Sequence, residues 1–257
     1  MFGFGVILAA ATCDLQLGVF ETGLLASAPF AGIIFAFPWG YYADTQGRRR
    51  ALLLSTSVGF LMAILVGFAP DWKVMLALKF IGCSFSTAGF NLTMTYLGEC
   101  TGSKRRSKYL FIINSAELAA EFVFYTMAYL LLRLDFELFI PYLSISFRPW
   151  RLYALLLSVP LGLGTFLLLF LYESPKFLAS RRDTEQALRV MRTMYRINGG
   201  NEDTYPVKTL KVPANEESTK DSFWSSIVNQ TVPLFKPPLL WRTIQLFYLM
   251  AICCSTY

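Results

Sequence analysis

Five apolar runs, each about as long as a bilayer core is thick, constrain this chain more than any other feature. Residues 24–43, 51–70 and 152–172 carry no charge, residues 74–98 are interrupted only by Lys79, and residues 109–132 carry Glu117 and Glu121. An α-helix rises about 1.5 Å per residue, so about 20 apolar residues cross a hydrocarbon core of about 30 Å. Inside that core every backbone polar group must be satisfied within the segment, which for a single run means helix. The runs lack period-two alternation and are too long for strands. Residues 2–12 are apolar over half a span and residues 243–257 are apolar as far as the sequence goes. These read as the tail of one span and the head of another, giving five complete helices and two partial ones.

Composition agrees. Of 257 residues, 55% are hydrophobic and 16% charged, against about 25% charged in soluble domains. The net charge of +6 is a topology signal. Arg48, Arg49 and Arg50 follow the first complete span, Lys104, Arg105, Arg106 and Lys108 follow the third, and a long basic series from Lys176 follows the fifth. They fall in alternate loops, as cytoplasmic residues do, while Lys73, Lys79, Arg133, Arg148 and Arg151 fall on the other side. The partner implied is a lipid bilayer, not a nucleic acid. The sequence has no histidine, and its five cysteines form no CxxC pair or zinc-site spacing. They read as small apolar fillers, and no metal or other cofactor is expected. The apolar start has no basic leader, so it is a poor signal peptide.

Residues 173–240 are the one long polar stretch. Asp183 is placed to cap a helix that runs to Asn198 and stops at Gly199-Gly200, with an apolar stripe that includes Leu188 and Met191 and a place on the cytoplasmic face against the bundle or the headgroups. Residues 201–221 read as flexible, and 222–232 as a second short interfacial helix. The domain reading is a helix bundle over 1–172, a cytoplasmic linker over 173–240, and the start of a seventh span over 241–257.

Short motifs sharpen this. Gly40-Tyr-Tyr-Ala-Asp44-Thr-Gln-Gly47-Arg48-Arg49 joins the first two complete spans. Gly40 allows close helix approach, Gly47 a tight turn, and Asp44 can pair with an arginine or a helix N-terminus. The segment resembles the G-x3-D-x2-G-R-[KR] signature of the major facilitator superfamily at every fixed position. Tyr96-Leu-Gly-Glu99, followed by Arg105 and Arg106, resembles the corresponding loop of sugar-porter-like members. Glu173-Ser174-Pro175-Lys176-Phe177-Leu178 and Pro149-Trp150-Arg151 resemble the E-S-P-R and W-R segments around the sixth helix. The Cys13-Asp14-Leu15 loop and the insert before Phe147 look most like the synaptic vesicle glycoprotein 2 and organic cation transporter relatives.

The resemblance implies an all-α membrane protein with a major facilitator fold. The chain would be its N-terminal six-helix half, with a truncated first helix and the start of the seventh. It implies a secondary transporter of a small organic solute, incomplete without a C-terminal half, in the plasma membrane or an intracellular vesicle membrane. Gly40, Asp44, Gly47, Arg48, Arg49, Glu99, Arg105, Arg106 and Glu173 would form a charge network that latches a gate at one membrane face; against this, surface charges often do no more than stay solvated. No nucleophile, base and orienter converge, so no enzyme is expected.

Charged residues within a span are costly and usually functional. Glu117 and Glu121 are one turn apart and share a face with Asn114, and Glu121 falls near the membrane midplane. Asn91 lies on the preceding helix with Ser84, Thr87 and Thr95. These residues are candidates to bind a substrate cation or a coupling proton; the competing reading is a protonated glutamate bonded to a neighbouring helix. Pro29, Pro38 and Pro160 read as mild kinks. Asn91 and Asn229 match the glycosylation pattern but lie where it is not used. A second functional reading is a non-transporting vesicle-type protein acting in trafficking or binding, and a third is a fragment without independent function. A cavity lined by Glu121 and Asn91 favours transport, and a plugged cavity with paired acids favours the second.

Overall fold

The computed structural model describes residues 2–141, 145–210, 224–225, 228 and 231–255. They fall into two compact units, Met1–Val212 and Pro213–Tyr257. The first unit contains α1 (Phe2–Ala11), α2 (Val19–Gly32), α3 (Ala36–Gln46), α4 (Arg48–Gly67), α5 (Trp72–Cys100) and α6 (Ser103–Leu131). After α6 come β1 (Leu138–Ile140), β2 (Ile145–Phe147), α7 (Pro149–Leu168), α8 (Pro175–Ser180) and α9 (Thr184–Ile197). The second unit contains α10 (Leu240–Ser255), so the terminal apolar run is helical over its described residues, 243–255.

Among the described residues, five helical segments are long and apolar enough to cross a membrane: Val19–Gln46, α4, α5, α6 and α7. They correspond one for one to the five runs in the sequence. The first is not one smooth helix. A 3-10 turn at Ile33–Phe35 separates α2 from α3, where the sequence suggested only mild kinks. Proline lacks an N–H and its ring clashes with the carbonyl four residues back. The break puts Pro38 in the first turn of α3, where no N–H is needed, while Pro29 and Pro160 stay inside continuous helices.

Helix α6 starts six residues before the run that predicts it. Lys104, Arg105, Arg106 and Lys108 are therefore helical rather than in a loop. Twenty-nine residues span about 43 Å, so the extra turns project beyond the hydrocarbon. Helix α5 likewise starts at Trp72, with Asp71 accepting the Val74 N–H at 2.8 Å as its cap. Helix α7 ends short of residue 172. The Leu169 and Tyr172 carbonyls instead accept from Arg49 Nη2 at 2.8 Å and Tyr96 Oη at 2.5 Å.

The insert before α7 holds an antiparallel hairpin, with Leu138 paired to Phe147 and Ile140 to Ile145. Hydropathy did not reveal it, because three-residue strands are too short to show a period. Asp183 caps α9 by accepting the Gln186 N–H at 3.1 Å, and Gly199 follows with φ +88, as the cap signals predict. The proposed helix over 222–232 lies largely outside the described residues, as do residues 211–221 of the flexible stretch.

Helix α4 packs along α5 and α7, and α2 packs along α5. Gly32 makes the α2–α5 crossing possible, since a Cβ there would sit 2.9 Å from backbone atoms of Cys83 and Ser84. One core gathers Phe4, Ile7, Leu25, Met75, Trp150 and Tyr153. A second, toward the basic face, gathers Ala43, Ala51, Leu52, Ala88 and Leu92.

Candidate functional site

Two charged clusters lie at opposite ends of the antiparallel pair α4 and α7, with a cavity between them. The first lies where α3 turns into α4. Gly47 is both the last cap of α3 and the first of α4, at φ 110 and ψ 148, a region that is essentially glycine's alone. It has no side chain to cap α4, and Glu173 does so from across the bundle. Glu173 Oε1 accepts the Arg49 N–H at 3.0 Å and the Ser174 N–H at 3.0 Å. A carboxylate there also meets the positive end of the helix dipole.

Arg48 is the hub. Its Nη2 lies 2.9 Å from Asp44 Oδ1 and 3.2 Å from Glu99 Oε1, its Nε 3.1 Å from Glu99 Oε2, and its Nη1 donates to the Ala43 carbonyl at 3.1 Å. The Ser174 hydroxyl donates to Glu99 Oε2 at 2.6 Å and accepts the Phe177 N–H at 3.3 Å. The Phe177 ring lies beneath the Arg48 and Arg181 guanidinium groups, 5.1 and 5.3 Å from its centroid, and Arg181 also donates to the Thr45 carbonyl. Thus Asp44, Gly47, Arg48, Arg49, Glu99 and Glu173 of the expected network converge. Arg105 and Arg106 are exposed and form no ion pair among the described residues. Gly40 has open space beside it rather than a close helix neighbour. Ser174 and Arg181 join a cluster in which the sequence did not place them. The E-S-P segment supplied a signal for Ser174, since a serine before proline is a ready helix cap.

Gly47 gives a direct prediction. A Cβ there would clash with the Glu173 carboxylate and sit 3.2 Å from the Phe177 ring, in addition to the backbone cost of about 1–3 kcal/mol. Gly47→Ala is expected to lower the thermal unfolding midpoint in detergent clearly. Gly40→Ala, with nothing within 4 Å of the added carbon, serves as the neutral control.

The second cluster lies at the opposite ends of the same helices. Arg151 is 2% exposed and donates through Nη1 to the Gly67 and Ala69 carbonyls at 3.2 and 2.7 Å. Asp14, just past α1, lies 3.5 Å from Arg151 Nη2 and 3.0 Å from Arg148 Nη1, and accepts the Trp150 indole N–H at 3.0 Å. Arg148 continues to Glu137 at 3.1 Å. Hydrogen bonds from Ser146 and Arg148 hold the exposed Glu137 carboxyl below its usual range, and the bond to Glu137 raises Arg148 in turn.

Between these clusters is a cavity of about 340 Å³. Helices α1, α4, α5, α6 and α7 wall it. Glu117 and Glu121 of α6 line it together with Lys79 of α5, among apolar residues such as Phe4 and Met62. Asn91 and Asn114 do not. The α5 residues that face the cavity are Leu78, Lys79, Gly82 and Ser86, and Asn91, twelve residues past Lys79, is rotated by about a third of a turn. Asn114 shares the stripe of the two glutamates but lies one turn before Glu117; it is exposed and donates to the Leu110 carbonyl at 2.9 Å. Lys79, which the sequence places among the outer-side basic residues, is the charged wall residue absent from the expected site. Its signal was plain: it is the single charge in an otherwise uncharged span.

The profile of the Major Facilitator Superfamily matches residues 1–257. The chain belongs to the Major Facilitator Superfamily. Synaptic vesicle glycoprotein 2C of Mus musculus is 25% identical over 219 residues, covering 83% of this chain and 30% of that protein. Solute carrier family 22 member 3 of Rattus norvegicus is 27% identical over 190 residues, covering 72% and 29%. The facilitator fold is independently evident in a partially occluded inward-open structure of the xylose transporter XylE from E. coli. It matches with a TM-score of 0.62 at 20% identity, over 75% of this chain and 52% of that one. The chain thus spans about half or less of the length of these facilitator relatives. It is an integral membrane protein with the all-α architecture of the N-terminal part of the family's fold.

Proposed function

We propose that this chain forms the N-terminal wall of a secondary transporter that moves a small organic solute by alternating access. Residues 1–172 supply the helix bundle, 173–240 a cytoplasmic linker, and 241–257 the start of the next half. The observation that carries the reading is the cavity with Glu117 and Glu121 in its wall, flanked along α4 by a charged cluster at each helix end. Arg48 and Gly59 of α4 are about 16 Å apart along the axis, so a site at Gly59 sits well inside the membrane. Intramembrane acids that face a cavity mark substrate or proton pathways. Alternating access needs a second bundle rocking about a shared site. The partners are therefore a C-terminal half, a small solute and a coupling ion or proton. In this reading the cluster around Arg48 holds the cytoplasmic gate, and Glu121 with Glu117 binds a cationic group or the proton. The membrane is the plasma membrane or that of a vesicle, the latter favoured by relatives named for synaptic vesicles.

The test is radiolabelled solute uptake against external pH in cells expressing the protein at its full length, wild type beside Glu121→Gln. Glu121→Gln is expected to cut uptake by about ten-fold or more, or to flatten its pH dependence. Uptake that keeps both its rate and its pH profile sinks the role of Glu121. Saturable binding with no uptake of any solute by the wild type would favour the trafficking or binding reading instead.

A further inference from the structure

The cavity holds one charged group that the transport reading leaves unused. Lys79 reaches it from α5, and its ammonium lies over the Phe4 ring of α1, 4.1 Å from the centroid. Among the described residues Lys79 forms no ion pair with an acid, and neither Glu117 nor Glu121 pairs with a base. One ammonium and two carboxylates thus share a space of about 340 Å³ without direct contact neutralising them.

That arrangement selects against singly charged solutes. A cation attracted to the carboxylates must sit beside Lys79, and an anion attracted to Lys79 must sit beside two carboxylates. Between low-dielectric walls such like-charge neighbours are penalised far more than in water. A molecule with one cationic and one anionic end meets Glu121 with the first and Lys79 with the second, and the one charge left over is that of Glu117, which is exposed and can stay solvated. The apolar wall between them, including Met62, Phe124 and Leu157, suits a short hydrocarbon middle. The volume lies at the small end of ligand pockets. Resting on the transport reading for the cavity's role as the substrate site, we propose that it binds a small zwitterionic organic solute, with its anionic end on Lys79 and its cationic end on Glu121.

Three probes with one carbon chain and different charges test this. The purified protein at its full length, in lipid nanodiscs, is titrated calorimetrically with 5-aminopentanoate, pentanoate and pentylammonium. The zwitterion is expected to bind about ten-fold or more tightly than either singly charged probe. Lys79→Met is expected to abolish its advantage over pentylammonium, and Lys79→Arg to keep it. Glu121→Gln is expected to abolish its advantage over pentanoate. Size-exclusion profiles and helix content establish that each variant is folded. Pentylammonium binding as tightly as the zwitterion overturns the proposal, as does a preference unchanged in Lys79→Met or no binding of any probe. Because the readout is equilibrium affinity, such a failure leaves the transport reading standing or falling on uptake alone.

Discussion

Replacing Arg151 by methionine is expected to destabilise the bundle by about 3–5 kcal/mol, the range for removing one partner from a buried charged network. The side chain is 2% exposed and serves three acceptors at once: the Gly67 and Ala69 carbonyls and the Asp14 carboxylate. Methionine fills a similar volume, so the loss is in hydrogen bonding rather than packing. The two carbonyls belong to the last turn of α4 and the bend after it, where no helical donor remains for them. Arg148 is the control. It is 38% exposed and pairs with Asp14 and Glu137, and ion pairs of that kind contribute about 0–1 kcal/mol. Urea or thermal unfolding of the detergent-solubilised chain compares the two variants. Equal losses for Arg151→Met and Arg148→Met would show that the outer cluster is an ordinary surface network.

Arg151 has a counterpart at the other end of the same helix pair. Arg49, near the N-terminus of α4, donates to the Leu169 carbonyl at the C-terminus of α7. Arg151, near the N-terminus of α7, donates to the C-terminal carbonyls of α4. Each helix therefore supplies the cation that meets the negative dipole end of its antiparallel neighbour. The cavity residues Gly59, Met62, Ala154 and Ser158 lie between these ties. The pair is thus tied at both ends, on either side of the cavity wall that it supplies.

How much of this was legible follows from the range over which each signal acts. The spans were readable because a bilayer imposes length and apolarity on each segment separately. The Asp183 cap and the Gly47 turn were readable because local backbone chemistry fixes them. Helix ends were misjudged wherever a distant side chain, such as Arg49 on Leu169 or Tyr96 on Tyr172, took over the terminal carbonyls. Asp14 was noticed only as part of a family-like loop. Its partners are 134 to 137 residues away in sequence, and no periodicity connects an acid after one helix to arginines before another. Asn91 failed for the opposite reason. Its polarity is intramembrane and conspicuous, but which face of α5 meets the cavity is decided by α1, α6 and α7 together. Lys79 shows the cost of using a charge only to orient a topology, since the same residue also marked the cavity wall.

Glu99→Gln is the second change expected to act strongly, and it separates two carboxylates that the sequence could not rank. Both Asp44 and Glu99 bind Arg48, but the Asp44 side chain is 57% exposed and that of Glu99 only 8%. Glu99 also receives the short bond from Ser174, whose hydroxyl caps α8, so it ties α5 to α4 and to the segment after α7. Glutamine keeps the shape and one acceptor but removes the charge, which leaves the mostly buried Arg48 guanidinium facing only an exposed aspartate. Hydrogen bonds to charged groups are worth about 1.5–3 kcal/mol, and two such bonds weaken. A loss of about 2–4 kcal/mol is expected for Glu99→Gln, against about 1 kcal/mol or less for Asp44→Asn. Ser174→Ala combined with Glu99→Gln should cost less than the sum of the single changes, because the first removes the bond that the second weakens. Unfolding midpoints of the four proteins measure the coupling directly. Additive losses would mean that the serine and the glutamate act independently. A loss in Asp44→Asn as large as in Glu99→Gln would move the centre of the cluster from the α4–α5 contact to the exposed end of α3.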